Sequence, residues 1–516
     1  MSEISKVRLL NVPLENDYKN TLYFSDKTTQ QSYFAGKVKK TLEKFSYLRK
    51  DNVISVEIAY DDLIGCNYVM YQNTKQTNKW YYAFITKLEY KNPDTTHIHI
   101  QTDVIQTWLF DYEVLTSFVE REHVNNDTVG LHTVPEGLET GEYICNAVSK
   151  DEQLKEMSYI IMVSEYMPGA DGADNPDKPL AVNYGGVFSA GGAYICTTMR
   201  EVVNIIQTYQ SGKADAILGV YMAPTKIINN SSGAAQYSGQ ESPVVYDHSV
   251  TKQTTLNGYT PTNNKLLCYP YNYLLHSNNS GSANILKYEL FSTTDCKFEV
   301  EGVPTIGGSI KCVPKNYKGA DVLQEEGLML GKFPTLSWSE DLYTNWLTQN
   351  AVNIGIGVAS AGLNIVGGLG LMATGGGAGA GAGMLASGTL GIASTLGQIY
   401  QHEMIPNTAK GNVNGGDINT SYKMNLFHFY KMSIKSEYAK IIDKYFDMFG
   451  YKVNMLKVPN KNHRARYWFT KTIDVNINGA IPNDDLQQIK NCYNNGITFW
   501  RSDSEVDNYN VTNNII

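Results

Sequence analysis

Hydrophobic and polar residues alternate along much of the first part of the chain. The clearest example is residues 96–103, in which Ile98 and Ile100 fall on one side and His97 and His99 on the other. Because successive side chains of a strand point to opposite faces of a sheet, this alternation predicts a half-buried β-strand. Further β-branched or aromatic runs with partial alternation are residues 7–10, 21–24, 53–60 and 79–90. Together they predict an N-terminal β-domain over residues 1–135.

Apolar residues recur at helical spacing in three later segments. The first predicted helix spans residues 200–210, and the residues of its apolar face are Val202, Val203, Ile206 and Tyr209. It lies in a region of mixed pattern, residues 136–335, which we interpret as a second domain. The other two predicted helices, residues 436–449 and residues 483–495, lie in the C-terminal segment, residues 411–516. Their apolar stripes are Tyr438, Ile441, Ile442, Tyr445, Phe446 and Phe449, followed by Gly450, and Leu486, Ile489 and Tyr493, followed by Gly496.

The most unusual pattern is a long stretch without charge. Between Asp341 and Glu403 the sequence contains no Asp, Glu, Lys or Arg. A run of about 20 apolar residues is long enough to cross the ~30 Å hydrocarbon core of a bilayer, and two such runs lie here. Their apolar residues are Ile354, Ile356, Val358, Leu363, Ile365, Val366, Leu369, Leu371, Met372, Met384, Leu385, Leu390, Ile392 and Leu396.

Glycine separates the two apolar runs. The predicted hinge consists of Gly375, Gly376, Gly377, Gly379, Gly381 and Gly383. Each glycine lowers helix stability by about 1 kcal/mol relative to alanine, so the stretch should be pliable. A membrane-active or lumen-plugging loop over residues 336–410 is the favoured interpretation, with a helix starting at Ser337 or Ser339. A buried helical hairpin and a linker remain as alternatives, although a linker would expose many leucines to water.

Composition narrows the class of protein. The 516 residues carry a net charge of −8, which argues against a protein that grips nucleic acid but not against one through which nucleic acid passes. The seven cysteines are scattered, which favours reduced, buried thiols. Residues 1–6 do not resemble a signal peptide, so we expect a protein made in the cytosol that reaches a membrane later. The 36 tyrosines suit a β-rich protein with large interfaces.

Candidate catalytic and ligand-binding motifs are weak. His97, His99 and Asp103 have a spacing that metal-binding strands use, but a solvated or interface face is the better interpretation. The acidic group Glu136, Glu139 and Glu142 is interpreted as an exposed turn between domains. The remaining motifs, residues 327–332 and residues 355–357, lack features that phosphate and dinucleotide loops need. We therefore predict no catalytic residue, no metal site and no cofactor.

Four stretches carry a family resemblance, and they occur in order along the chain. They are residues 9–20, residues 31–34, residues 333–350 with the uncharged stretch that follows, and residues 434–500. The first begins Leu9-Leu-Asn-Val-Pro, the third begins Phe333-Pro-Thr-Leu-Ser-Trp, and the last contains Asn495-Gly-Ile-Thr-Phe-Trp. In these stretches the chain resembles the tail-knob, or distal tail-tube, proteins of small short-tailed phages of Gram-positive hosts (Salasmaviridae and Rountreeviridae).

The resemblance implies a mainly β fold with some α (α+β) and a homohexameric tube at the distal end of the tail. The N- and C-terminal segments would form β-barrel-type tube domains, and the middle region would form the knob. Residues 351–397 occupy the position of a hydrophobic loop that plugs the tube and then forms a pore in the host membrane. The implied partners are further copies of the chain, upper tail-tube or collar proteins, a tail-tip protein, the host membrane, and viral DNA that passes without specific binding.

Two other functions remain open at this point. A stand-alone pore-forming toxin would also need an uncharged, membrane-competent stretch. A cell-wall-degrading tail enzyme is less well supported, because the sequence offers no convincing nucleophile or carboxylate pair. For a conduit, the bore should be acidic or neutral, since a lumen lined with Lys and Arg would hold DNA.

Overall fold

The structure is a computed structural model of the 516-residue chain. The residues that it describes are 6–42, 45–48, 52–72, 79–165, 182–184, 187–189, 192–210, 216–228, 235–237, 244–302, 308–339, 409–410, 413, 417–418 and 426–516. The chain forms two compact units. Unit 1 comprises Met1–Leu138, Thr262–Lys265 and Lys440–Ile516, and unit 2 comprises Glu139–Pro261 and Leu266–Ala439.

The N-terminal part of unit 1 is built mainly of strands. They are β1 (Lys6–Leu10), β2 (Asn20–Leu22), β3 (Val38–Leu42), β4 (Phe45–Leu48), β5 (Val53–Val56), β6 (Tyr68–Gln72), β7 (Trp80–Asn92), β8 (Thr95–Thr102), β9 (Tyr112–Val114) and β10 (Ser117–Glu122). Two helices, α1 (Lys27–Gly36) and α2 (Val104–Trp108), lie between them. Seven strands form one sheet in the order β3-β1-β6-β7-β8-β5-β4.

The alternation predicted for residues 96–103 is confirmed in β8. Ile98 and Ile100 are buried, whereas His97 and His99 are half-buried. The strand predicted over residues 53–60 is shorter than expected, because the chain leaves the sheet after Val56 and turns at residues 60–63 to bury Leu63. The strand predicted over residues 21–24 likewise ends at residue 22.

Unit 2 contains eighteen strands among the described residues. They are β11 (Tyr143–Lys150), β12 (Met157–Val163), β13 (Val182–Tyr184), β14 (Val187–Ser189), β15 (Gly192–Cys196), β16 (Ile217–Pro224), β17 (Ala235–Tyr237), β18 (Val244–Thr251), β19 (Asn272–Ser277), β20 (Ala283–Leu286), β21 (Asp295–Gly302), β22 (Ser309–Tyr317), β23 (Ala320–Val322), β24 (Leu328–Gly331), β25 (Thr335–Leu336), β26 (Trp338–Ser339), β27 (Ala409–Lys410) and β28 (His428–Ile434).

Three larger sheets organise unit 2. Their strand orders are β11-β28-β19-β20, β17-β15-β12-β16-β25, and β18-β21-β22-β23 with β24 also on β22. One apolar core draws on all three sheets, and it includes Ile160, Leu274, Phe298, Leu330 and Phe429. Helix α3 (Met199–Gln210) packs on the second of these sheets.

The predicted face of α3 needs one correction. Val202, Ile206 and Tyr209 are buried as expected, but Ile205 is also buried and Val203 is only half-buried. The buried stripe is thus rotated by part of a turn from the predicted one, because the sheet contacts positions spaced by three and four residues that include Ile205.

The C-terminal part of the chain returns to unit 1. Its elements are α4 (Ser436–Phe449), within which the boundary between the units falls, and then β29 (Tyr451–Lys457), β30 (Tyr467–Ile473), β31 (Ile477–Gly479), α5 (Asn483–Asn495) and β32 (Ile497–Trp500). They join the N-terminal strands in a sheet of order β2-β32-β30-β10-β29. The backbone N–H of Tyr23 donates to the carbonyl oxygen of Trp500 at 2.8 Å, and Trp500 is fully buried. The two ends of the chain therefore share one sheet and one core.

Both C-terminal helices have the predicted bounds. In α4, Ile442 and Phe446 are buried, but Ile441 is 67% exposed, so its place on the predicted apolar stripe is wrong. The buried face of α4 runs through Ala439, Ile442, Asp443 and Phe446, which leaves Ile441 on the solvent side. In α5, Ile489 and Tyr493 are buried, and Gly496 closes the helix with a φ of 95°.

Candidate functional site

The uncharged stretch leaves and re-enters unit 2 at one place. Strand β26 pairs antiparallel with β27, so that Trp338 lies opposite Lys410 and Ser339 opposite Ala409. Residues 340–408 therefore leave and return through adjacent backbone positions. All the apolar residues predicted for the membrane-active loop (354–396) and all its hinge glycines (375–383) lie between them, outside the described residues. A helix start at Ser337 is wrong, because residues 338–339 form β26, and a helix that starts at Ser339 lies outside the described residues.

The incoming chain is anchored to a sheet just before this point. Strand β25 pairs with β16, and the N–H of Met222 donates to the carbonyl oxygen of Pro334 at 2.9 Å. Phe333 is 1% exposed, and its ring stacks on Tyr221 with the ring centroids 6.5 Å apart. A buried aromatic side chain contributes about 1.5–3 kcal/mol, so this contact fixes the entry to the stretch.

The outgoing chain is anchored next to the incoming one. A carboxylate oxygen of Asp417 accepts from the N–H of Gly331 at 3.1 Å, and Ile418 is fully buried in the main core of unit 2. The turn between β19 and β20 contacts both sides, since Asn278 Nδ2 donates to the carbonyl oxygen of Met329 at 2.8 Å and Ser280 Oγ donates to that of Asp417 at 2.7 Å. We call these tied segments, residues 328–339, 409–410 and 417–418, the loop base.

Three buried or half-buried histidines lie near the loop base. The rings of His248 and His276 both stack on Phe429, with centroid separations of 5.0 and 4.8 Å. His428 precedes Phe429 on β28 and lies on the opposite face of that sheet, where its ring stacks on Tyr430 and hydrogen-bonds to Asn279. His276 is fully buried, and among the described residues neither of its ring nitrogens has a hydrogen-bond partner. Burial lowers the pKa of both His276 and His428 to about 3.

The third histidine is held near a carboxylate. Burial lowers the pKa of His248, and this is opposed by the carboxylate of Asp151, whose oxygen lies 3.8 Å from Nδ1. The low pKa values mean that His276 and His428 are neutral at pH 7. Acid must then force a charge into a buried site, which for His276 is an apolar core. Sequence reasoning missed this group because its members come from three strands. The sequence of β19 did contain one signal for a buried histidine, because its alternation places His276 on the same face as Leu274.

Two of the three residues weighed as metal ligands in unit 1, His99 and Asp103, have other partners. His99 Nε2 lies 3.1 Å from a carboxylate oxygen of Glu89. Asp103 is 1% exposed and caps α2, accepting from the N–H of Gln106 at 3.0 Å and from Tyr68 Oη at 2.7 Å. Burial raises the pKa of Asp103 to about 6. The described residues contain no group of three or more His, Cys, Asp or Glu side chains that could hold a metal ion.

The acidic group at residues 136–142 is not a single exposed turn, and the prediction for Glu136 is wrong. Its carboxylate is fully buried and forms ion pairs with both Arg121 and Lys265. Arg121 Nη1 also donates to the carbonyl oxygen of Gly450 at 2.7 Å. Two buried cations require a buried anion, which is why the chain turns Glu136 inward. Glu139 is exposed, and Glu142 is 69% exposed and pairs with Lys435.

Of the two remaining motifs, the one at residues 327–332 forms part of a sheet. Residues 328–331 form strand β24, so the glycines of this motif do not form a phosphate-binding loop before a helix. Residues 355–357 lie outside the described residues. All seven cysteines are buried thiols, as predicted. Within the described part of the chain, no helix combines the length and the apolar character that a membrane crossing requires.

Comparisons with known proteins identify the family. A model for the C-terminal domain of the tail knob protein gp9 of Bacillus phage phi29 matches residues 234–514, more than half of the chain. A model for the N-terminus of caudoviral major tail proteins matches residues 3–113. Tail knob protein gp9 of Bacillus phage PZA is 27% identical over 99% of this chain and 98% of its own length. The gp9 of phage phi29 is 26% identical with the same coverage.

A solved structure shows the same fold. The tail knob protein gp12 of bacteriophage C1 superimposes with a TM-score of 0.69 over 99% of this chain and 100% of that protein, at 16% sequence identity. This likeness agrees with the mainly β architecture predicted from the sequence. The match over residues 234–514 includes the loop base and the C-terminal strands β29 to β32. The chain belongs to the phage tail knob protein family represented by gp9 of Bacillus phage phi29.

Proposed function

We propose that this chain is a structural protein of the virion tail and forms a homohexameric ring at the distal end of the tail. Its lumen is the conduit through which DNA leaves the particle. Residues 1–135 and 411–516 supply the tube, and residues 136–335 supply the knob. Upper tail-tube or collar proteins and a tail-tip protein are its neighbours. Family membership supports this assignment, because the relatives are named as tail knob proteins.

The uncharged stretch has two states in this proposal. Before infection, residues 351–397 of the copies pack together in the tube and plug its exit. During entry they emerge and form a pore in the host membrane. Both states remove the same apolar side chains from water, at about 25 cal/mol per Å², so the stretch can move from one to the other when a bilayer is available.

The pairing of β26 with β27 is the observation that carries this proposal. It brings the two ends of residues 340–408 together, so the whole stretch can extend from the protein without separating its ends. The anchors at Phe333 and Ile418 lie in buried cores, and they support a loop base that stays folded while the stretch moves. A pore-forming element on a permanent tail part needs this combination of a fixed base and a mobile apolar loop.

The charge of the chain supports a conduit for DNA. The net charge of −8 gives little attraction for phosphates, so DNA can slide instead of binding. Ring assembly separates this function from that of a stand-alone toxin, which would oligomerise only at a membrane. Light scattering of the purified chain in detergent-free buffer should give the mass of six copies. A monomer that assembles only with lipid would contradict the proposal.

Dye release from liposomes tests the loop itself. The test variant replaces residues 351–397 with a Gly/Ser linker of equal length, which preserves the β26–β27 pairing. The native chain should release dye, more strongly under acid conditions, whereas the linker variant should form the same rings and release none. Release by the linker variant would show that another part of the chain disrupts membranes. Clearing of peptidoglycan in a zymogram would instead favour a cell-wall enzyme.

A further inference from the structure

The sheet β11-β28-β19-β20 has one face in the core of unit 2 and a second face with an apolar patch, which is bordered by a mainly polar row of Lys150, His428, Ser277 and Ala283. The strand register places Val148, Tyr430, Leu275 and Ile285 side by side in one row across the four strands. Met432 and Tyr273 lie side by side in a second row next to it. The apolar residues of the two rows are Val148, Tyr430, Leu275, Ile285, Met432 and Tyr273. We call these six residues the outer face. His276 and Leu274 point to the opposite, buried face.

Water reaches a substantial part of the outer face. Val148 is 37% exposed and Ile285 is 47% exposed, and Leu275 and Tyr273 are half-buried. Tyr430 is buried. None of the six residues is charged, and Lys150 in the adjacent row is charged. An apolar sheet face is normally covered, because antiparallel sheets that face water alternate apolar and polar side chains. The face therefore indicates a binding surface for an uncharged, apolar partner.

The outer face continues into the loop base. Tyr430 Oη donates to Asn279 Oδ1 at 3.4 Å, and Asn279 lies in the turn between β19 and β20. The adjacent residues of this turn, Asn278 and Ser280, hold the chain on both sides of the uncharged stretch through Met329 and Asp417. One short turn thus connects the edge of the outer face to the place where residues 340–408 leave and return.

We propose that the outer face borders the tube exit and is the surface on which residues 351–397 pack, together with those of the other copies, before they are released. This inference rests on the proposed function and assigns a docking surface to the stowed loop. The occupant has the chemistry that the face requires, since it contains no Asp, Glu, Lys or Arg. Its glycines allow the backbone to approach a sheet closely, as small residues do at tight packing surfaces.

Two other occupants lead to different observations. A second copy of unit 2 would cover the face in a manner that depends on protein concentration. Membrane lipid would cover it only when vesicles are present. Residues 351–397 would cover the outer face of the full chain without lipid and at any protein concentration. They belong either to the same molecule or to another copy in a ring that does not dissociate.

Thiol labelling at residue 285 distinguishes these cases. The variant Ile285→Cys places a cysteine on the outer face, and a maleimide reports how fast water reaches it. The native cysteines are all buried, so labelling at residue 285 can be quantified by mass spectrometry. Labelling should be about tenfold slower in the full chain than in the Gly/Ser linker variant, as expected if the covered form outweighs the open form about ten to one.

Val245→Cys is the matched control. Val245 is 52% exposed on β18, which belongs to a different sheet of unit 2. Its labelling rate should be the same in the full chain and in the linker variant. Equal rates at residue 285 in both backgrounds would overturn the inference, as would protection that persists in the linker variant and grows with protein concentration.

The outcome is separable from that of the proposed function. If residue 285 is not protected but dye release still requires residues 351–397, only the docking surface is wrong. If residue 285 is protected but dye release survives the linker replacement, the stretch is stowed on the outer face and the pore assignment fails.

Discussion

Replacing His276 with phenylalanine should remove part of the acid sensitivity of unit 2. His276 is fully buried beside Phe429, and its ring nitrogens have no hydrogen-bond partner among the described residues. His248 is the titratable group that acts on it electrostatically, and the side chains of Phe298, Phe427 and Phe429 make up its aromatic contacts. His276→Phe keeps an aromatic ring in this place and removes the site of protonation.

The loss of stability on acidification follows from the pKa of His276 in the folded chain and in the unfolded chain. The pKa of His276 is about 3 in the folded chain against an ordinary value of 6.5, so the unfolded chain takes up a proton that the folded chain refuses. The stabilisation from the neutral ring is complete above the ordinary pKa and is lost as pH falls below it. Between about pH 7.5 and about pH 5 this loss amounts to about 2 kcal/mol. This loss of about 2 kcal/mol is nearly the same for any folded-state pKa of His276 below about 4. The reason is that at about pH 5 the folded chain takes up almost no proton at this site, so proton uptake by the unfolded chain alone determines the loss.

Hydrogen exchange of the β28 backbone in rising urea measures this difference. The native chain should lose about 2 kcal/mol more stability on acidification than His276→Phe loses, and the variant should differ from the native chain by less than about 1.5 kcal/mol at neutral pH. His97→Phe, in unit 1, is the control and should leave the acid response of β28 unchanged. An acid response that is identical in His276→Phe and the native chain would refute the argument.

Two further predictions concern unit 1. Glu136→Gln leaves two buried cations without an anion and should lower the free energy of unfolding by about 3–5 kcal/mol in urea, whereas the exposed Glu139→Gln should change it by less than about 0.5 kcal/mol. Gly450→Ala should cost more than about 4 kcal/mol by the same assay, because φ is +65° and the added Cβ would lie 2.1 Å from the carbonyl oxygen of Glu122. Gly65→Ala, with a φ of +91° but no atom within 4 Å, should cost only about 1–2 kcal/mol. The reasoning would be contradicted if Glu136→Gln and Glu139→Gln lowered the free energy of unfolding equally, or if Gly450→Ala and Gly65→Ala did.

Local periodicity predicted which residues form helices and strands better than it predicted their neighbours. The bounds of α4 and α5 and the alternation of β8 follow from spacing within a short window, and the structure confirms them. Which residues on a helix are covered depends on the partner, so Ile441 is exposed despite its position in the pattern.

Long-range partners could not be predicted from one sequence. Glu136 is buried because Arg121 and Lys265 approach it, and Lys265 is 129 residues away along the chain. The pairing of β26 with β27 also joins residues on opposite sides of a long stretch. The uncharged stretch itself was evident, because its signature is the absence of charge over many consecutive residues and needs no knowledge of contacts.

Labelling by a photoactivatable lipid tests the central claim most directly. Vesicles that contain the lipid are mixed with the full chain under conditions that release dye, illuminated, and the modified peptides are identified by mass spectrometry. We predict that the label falls within residues 351–397 and is absent from the strands of unit 1. Label on those strands, or dye release without any label in residues 351–397, would contradict the account.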